Sequence, residues 1–279
     1  MRFTKMHGLG NDFLIVDDRE PAAIDWPAAA RRLCDRRRGV GADGILLIGS
    51  SVGADLRMQL FNADGSEGEM CGNGVRCVAL FVLERGIAPE RVVWETGAGP
   101  VITQVVGKGL VTVDMGPPRF LPAEIPVDAA GADPLHLPLE AAGRRFEVSA
   151  VGMGNPHCVL RVDDVEGFPV AEVGPALEAH PAFPHHTNVE FVAVLSPAHV
   201  RQRTFERGVG ETDACGTGAC ASMVALRRLG LVATAVDVEL NGGTLRIEWP
   251  DSGSVFMTGP AETVFSSEVA VPVAAALRS

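Results

Sequence analysis

Met70-Cys71-Gly72-Asn73-Gly74 and Ala214-Cys215-Gly216-Thr217-Gly218 are one turn written twice, with Cys71 and Cys215 standing 144 residues apart. The same shift, without a gap, pairs Gly10 with Gly154, Asn11 with Asn155, Arg57 with Arg201, Phe61 with Phe205 and Glu67 with Glu211. It continues through Gly86 and Gly230, Glu95 and Glu239, Gly99 and Gly243, and Gly109 and Gly253. A single register held over about a hundred residues, with its matches gathered at Gly and Cys, reads as an internal duplication.

Each half follows one plan. Short β-branched or alternating stretches, Ile45–Ile48 and Leu56–Phe61 against Val189–Val194 and Val200–Phe205, predict strands leading to the Cys-Gly-x-Gly turn. A helix is expected next, over Val75–Arg85 and Ala219–Leu229, stopping at Gly86 and Gly230, where the chain must turn left-handed. Val92–Thr96 and Val236–Leu240 predict further strands. Both helices are apolar on more than one face, so each is expected to lie buried in its own sheet. The fold class is therefore α/β (α+β), with two pseudo-symmetric domains. The run Pro117-Pro118, followed by Pro122 and Pro126, marks the junction. It divides the chain into 1–117, expected to be completed by 264–279, and 118–263.

A cysteine just before a helix sits among unpaired backbone N–H groups and the positive end of the macrodipole. Those N–H groups can grip a carboxylate, and the same field is expected to favour the thiolate. An ordinary thiol, with pKa about 8.5, is only a few per cent ionised at pH 7, and about 2 kcal/mol makes it half thiolate. Two such turns set face to face would hold an amino-acid carboxylate with its α-carbon between two sulfurs. One thiolate removes the α-proton, the opposite thiol returns one to the other face, and no cofactor is needed. Cys71 and Cys215 are the candidate acid/base pair.

Composition narrows the alternatives. A net charge of −11 without a basic stripe argues against nucleic acid. No apolar run reaches the roughly 20 residues of a membrane span, and the N-terminal Met1–Gly8 builds no signal core, so a cytoplasmic protein is expected. Neither of the two lysines, Lys5 and Lys108, has a pyridoxal-phosphate context. The pairs Cys71/Cys77 and Cys215/Cys220 differ in spacing from each other and from metal-binding pairs, so no metal is expected. Cys34 and Cys158 read as packing residues. Gly39–Gly44 matches a dinucleotide fingerprint only formally, because a helix precedes it and a strand follows.

Met6–Phe13, Phe61–Ser66, Glu69–Cys77, Gly154–Cys158 and Glu206–Cys220 together resemble the diaminopimelate epimerases over almost the whole chain. The resemblance implies interconversion of LL- and meso-2,6-diaminopimelate without a cofactor, by two domains that each curl a mixed sheet around a central helix. It also implies a homodimer. By position it assigns Gly72, Asn73, Gly216 and Thr217 to the reacting carboxylate. It assigns Asn11, Asn62, Asn155, Asn188, Glu206 and Arg207 to substrate contact, chiefly at the distal amino acid, and His157 and Glu206 to tuning the thiols. The duplication is asymmetric where such a substrate needs it, with Ala63 against Arg207, Asn62 against Glu206 and Phe13 against His157. Arg207 suits a distal carboxylate as a bidentate partner.

Two positions depart from the family pattern. Gly44 replaces a glutamine that touches substrate in some members, and Phe265 replaces a tyrosine linked to dimerisation. Three other readings stay open. Proline and hydroxyproline racemases also use two cysteines, although Asn73 and Arg207 do not fit them. A non-catalytic amino-acid binder would not need the thiols, and a redox module would cycle a Cys71–Cys215 disulfide.

Overall fold

The structure, a computed structural model, describes residues 1–21, 23–129, 131–250 and 253–271. It divides into one unit of Met1–Val113 together with the segment from Gly259, and a second of Asp114–Thr258. Of the 264–279 segment expected to complete the first domain, 272–279 lie outside the described residues.

The first unit runs β1 (Arg2–Gly8), β2 (Asn11–Asp17), α1 (Trp26–Leu33), β3 (Gly44–Gly49), β4 (Leu56–Asn62) and β5 (Glu67–Gly68). Then come α2 (Gly72–Glu84), β6 (Arg91–Thr96), β7 (Gly99–Gly107) and β8 (Leu110–Asp114). The second unit runs β9 (Leu137–Ala141), β10 (Arg144–Gly152), β11 (Pro156–Arg161), α3 (Val170–Glu178), β12 (Asn188–Ser196), β13 (His199–Glu206) and β14 (Gly210–Thr212). It continues with α4 (Gly216–Arg228), β15 (Ala235–Leu240), β16 (Gly243–Glu248) and β17 (Phe256–Pro260). The last strand, β18 (Glu262–Glu268), pairs antiparallel with β1, and its Phe265 packs edge-on against Phe3.

The duplication is written in the ladders. Phe13 pairs with Gly44 between parallel β2 and β3, and His157 pairs with Asn188 between parallel β11 and β12. Ile45 opposes Phe61 as Val189 opposes Phe205, and Arg57 pairs with Glu95 as Arg201 pairs with Glu239. All of these are related by the 144-residue shift. The first hairpin of each unit is offset by one residue, Gly8 facing Asn11 where Gly152 faces Pro156.

The mixed α/β architecture is as the patterning predicts, with one difference at the helix starts. Both helices begin three residues earlier than expected, at Gly72 and Gly216. Glycine lowers helix propensity in an interior, but first-turn N–H groups have no intrahelical partner to lose. Helix α2 is buried from Asn73 to Val82 and packs on β1, β2, β3 and β7; α4 packs on β10, β11, β12, β15 and β16. Each fully buried Val or Leu contributes about 1.5–3 kcal/mol. Gly86 and Gly230 end the helices at φ 64° and 73°, with Ile87 and Leu231 N–H bonded back to Val82 and Leu226 carbonyls. Among the described residues no helix is long and apolar enough to cross a membrane.

A charged knot fixes β1 and β2 to the α1–β3 connection. The Asp12 carboxylate accepts Arg36 Nη2 at 2.7 Å and lies 2.9 Å from Lys5 Nζ, while Arg36 Nη2 also reaches Asp43 Oδ1 at 2.7 Å. Burial works to raise the Asp12 pKa, but Arg36 and Lys5 together outweigh it and hold it at about 2, against an ordinary 3.8. A depressed carboxyl stabilises above its unfolded pKa, so this contribution, about 2 kcal/mol, is present above pH 4 and fades towards pH 2. Asp12→Asn is expected to cost about 2 kcal/mol at pH 7 by urea unfolding, with the gap to wild type closing as pH falls to 2. A gap independent of pH would refute the ion-pair origin.

Candidate active site

In the first unit Cys71 is the N-cap of α2, at φ −137° and ψ 119°. Its thiol donates to Asn11 Oδ1 at 3.5 Å, and Asn73 Nδ2 reaches the same oxygen at 3.3 Å. Asn11 opens β2 and donates through Nδ2 to Asp43 Oδ2 at 2.7 Å, which sets its amide so that the oxygen faces the thiol. Asn11, Cys71 and Asn73 are thus gathered. Asn62, at the end of β4, instead donates to Ser66 Oγ at 3.0 Å within its own turn.

In the second unit Cys215 is the N-cap of α4, at φ −116° and ψ 109°, and is 6% exposed. Its Sγ accepts from Gly218 N–H at 3.4 Å and lies 3.6 Å from Thr217 Oγ1. Asn155 Nδ2 approaches Thr217 Oγ1 at 3.5 Å, and Asn155 Oδ1 lies 2.8 Å from His157 Nε2. His157 Nδ1 lies 2.8 Å from Glu190 Oε1, with both side chains fully buried. Cys215, Thr217, Asn155 and His157 therefore form one connected chain.

Glu206 and Arg207 stand at the end of β13. The Thr212 hydroxyl donates to Glu206 Oε1. Arg207 is exposed, its guanidinium donating to His185 O at 3.2 Å. Asn188 is buried and bridges two strands' ends, its Oδ1 accepting Arg207 N–H and its Nδ2 donating to Pro156 O, each at 3.0 Å. One Nδ2 hydrogen remains for another acceptor. All six cysteines are thiols. Among the described residues no group of three or more His, Cys, Asp or Glu is placed to hold a metal.

The expected lowering of the thiol pKa does not hold at Cys215. Burial, then Glu206 and Glu190, push this thiol well above its ordinary value, and the Thr217 hydroxyl and Gly218 N–H offset only part of that. A helix terminus stabilises an anion only modestly, and desolvation with two nearby carboxylates outweighs it. Sequence reasoning also passed over Glu190 and Asp43. Glu190 is an acid within the otherwise apolar Val189–Leu195 run, and the 144-residue shift sets it against Leu46, a signal available in the sequence. Asp43 aligns with Thr187 and carries no such mark.

The profile of the Diaminopimelate epimerase family matches residues 3–121 and 149–264. The diaminopimelate epimerase of Pelotomaculum thermopropionicum is 50% identical over 275 residues, covering 96% of this chain and 98% of that protein. That of Desulforudis audaxviator is 53% identical over 274 residues, covering 96% and 99%. Among solved structures, a Bacillus anthracis phenazine biosynthesis protein of the PhzF family superposes with a TM-score of 0.71 at 18% identity, covering 97% of this chain and 99% of that one. At that identity the likeness shows the fold alone.

The two first turns differ in what a side chain would meet. A Cβ at Gly74 would lie 3.0 Å from the end of Leu46, whereas one at Gly218 would lie 2.6 Å from Glu190 Oε1 and 3.2 Å from Cys215 Sγ. Leu46 can yield; a carboxylate pinned by His157 cannot do so without breaking that bond. Gly74→Ala is expected to stay within about 1 kcal/mol of wild type, helped by helix propensity, and Gly218→Ala to lose about 1–3 kcal/mol. Urea unfolding of the two variants checks this, and equal stabilities would contradict it.

Proposed function

This chain belongs to the diaminopimelate epimerase family, and from that membership we propose that it interconverts LL- and meso-2,6-diaminopimelate by proton transfer between two thiols and one α-carbon. It is an isomerase of the epimerase kind. The observation that carries the thiol mechanism is that Cys71 and Cys215 cap equivalent buried helices of a duplicated fold. One thiolate takes the α-proton and the other thiol delivers a proton to the opposite face, through a planar carbanion. Its charge spreads into the carboxylate, held by first-turn N–H groups at Gly72-Asn73 and Gly216-Thr217, which stabilise it where it develops.

Burial and the Glu206 and Glu190 carboxylates hold the Cys215 proton tightly, and the direction of reaction decides which cysteine takes the α-proton and which donates, the base of one direction being the acid of the other. Asn11 and Asn155 flank the reacting centre. Glu206 and Arg207, with Asn62 and Asn188, take the distal amino acid. Arg207 is exposed and its guanidinium can turn from a single carbonyl to a bidentate carboxylate partner. His157 and Glu206 tune the thiols. The reaction uses no metal or organic cofactor. The enzyme works in the cytoplasm as a homodimer, with diaminopimelate as its partner and neither nucleic acid nor membrane.

Proton NMR of LL-diaminopimelate in D2O with the reduced protein tests the reading. Deuterium is expected at one α-carbon, with meso product appearing, and Cys71→Ala and Cys215→Ala should each lower turnover about 10²–10⁴-fold. Turnover that survives both substitutions would exclude the two-thiol mechanism. No exchange by wild type, with activity on proline instead, would exclude the substrate.

A further inference from the structure

His157 and Glu190 occupy the same ladder positions in the second unit that Phe13 and Leu46 occupy in the first, since β11 and β12 pair in the register of β2 and β3. Phe13 and Leu46 are buried, at 2% and 0% exposure, so the fold is satisfied there by an apolar pair. The second unit instead buries an imidazole and a carboxylate completely. Glu190 Oε2 has no hydrogen-bond partner among the described residues. An orphaned buried carboxylate oxygen costs stability, and the first unit demonstrates that this architecture does not require it.

The hydrogen bonds say what the carboxylate does. Asn155 Oδ1 is a carbonyl oxygen and can only accept, so His157 Nε2 must carry a hydrogen. The 2.8 Å contact between Nδ1 and Glu190 Oε1 then holds one further hydrogen between nitrogen and oxygen. Nε2 is the donor whichever of the two atoms that hydrogen sits on. The ring is anchored at Nδ1, and Asn155 is left with its Nδ2 towards the Thr217 hydroxyl, which in turn meets Cys215 Sγ.

We propose that Glu190 is a positioning residue: by anchoring Nδ1 of His157 it keeps Nε2 a fixed donor to Asn155, and so holds the Asn155 amide in the orientation the reaction uses. This rests on the function proposed above for Asn155 and Cys215. Glu190 touches no substrate, and its effect on turnover runs through the imidazole rather than through the push its charge gives the Cys215 thiol.

Three single variants and one double variant test it. Glu190→Leu removes the anchor and is expected to lower kcat about 10-fold or more with KM within about 2-fold, as loss of an orienting partner does elsewhere. Glu190→Gln can donate to Nδ1 without charge, so it should restore kcat to within about 3-fold of wild type. In a His157→Phe background, Glu190→Leu should add nothing beyond about 2-fold, because the double variant reproduces the apolar pair of the first unit. Nitrogen-15 spectra of the His157 ring should show Nε2 protonated in wild type and Glu190→Gln, and a mixture of tautomers in Glu190→Leu.

A Glu190→Gln enzyme as impaired as Glu190→Leu would mean that Glu190 acts by its charge, and would overturn the proposal. So would independent, multiplying effects of the two positions, an unchanged kcat in Glu190→Leu, or a ring that stays protonated at Nε2 without the carboxylate. Should wild type fail to epimerise diaminopimelate, the function reading falls, while the ring spectra still decide the positioning.

Discussion

The burial of α2 and α4 along nearly their whole lengths fixes where each unit can carry chemistry. A helix surrounded by sheet offers little of its flank to solvent: Val75, Val78 and Val82 in one unit and Ala219, Met223 and Leu226 in the other pack the core, and even Arg76 and Ser222 are buried. The backbone groups that the helix cannot satisfy lie at its ends. At one end Gly86 and Gly230 turn the chain away in the left-handed region. At the other, Cys71 and Cys215 take extended backbone angles and stand beside the first N–H groups. The thiols are where they are because the rest of the helix has been committed to the core.

From that shared frame the two units diverge by a few side chains. Asn11 opens β2 and Asn155 stands just before the equivalent β11, yet the first is oriented by Asp43 and the second by His157 with Glu190 behind it. Asn62 closes a turn onto Ser66 where Glu206 receives Thr212. Arg207 stands where the first unit has Ala63. LL-diaminopimelate has two equivalent ends, so in the proposed reaction it is the one-sided differences of the site that would assign one end to inversion and the other to recognition. Asymmetry added to a duplicated scaffold would supply that distinction, and it leaves undisturbed the ladders that hold the scaffold together.

Much of this is legible in the sequence because its signals are local. Glycine before and after an apolar run marks the turn and the stop, and the 144-residue shift pairs strands that do turn out to share register. The helices start three residues before the expected points because the Cys-Gly-x-Gly stretch, read as a turn, is already the first helical turn, where glycine sacrifices no intrahelical bond. The Cys215 thiol departs from its expected ionisation for a different reason. The helix end is visible in the sequence, but the depth of burial and the carboxylates of Glu190 and Glu206, contributed by other strands, are properties of packing. Glu190 itself lay in plain view opposite Leu46, but one acid in an apolar strand acquires meaning only once His157 is found beside it.

The raised pKa of Cys215 bears directly on the proposed chemistry. A thiol that gives up its proton reluctantly is a poor nucleophile at rest and a strong base once ionised, each ionised molecule pulling harder on a proton while fewer are ionised. An α-carbon holds its proton far more tightly than any ordinary thiol, so a thiolate made unstable by burial narrows the gap between donor and acceptor. In the proposed reaction the first-turn N–H groups would work in the opposite direction on the substrate, favouring negative charge on its carboxylate as the carbanion forms. The same burial therefore destabilises the anion on sulfur while the helix end stabilises it on the substrate. Proton transfer moves charge from the place where the fold resists it to the place where the fold receives it, which is what a helix N-terminus enclosed by apolar sheet and capped by cysteine is suited to do.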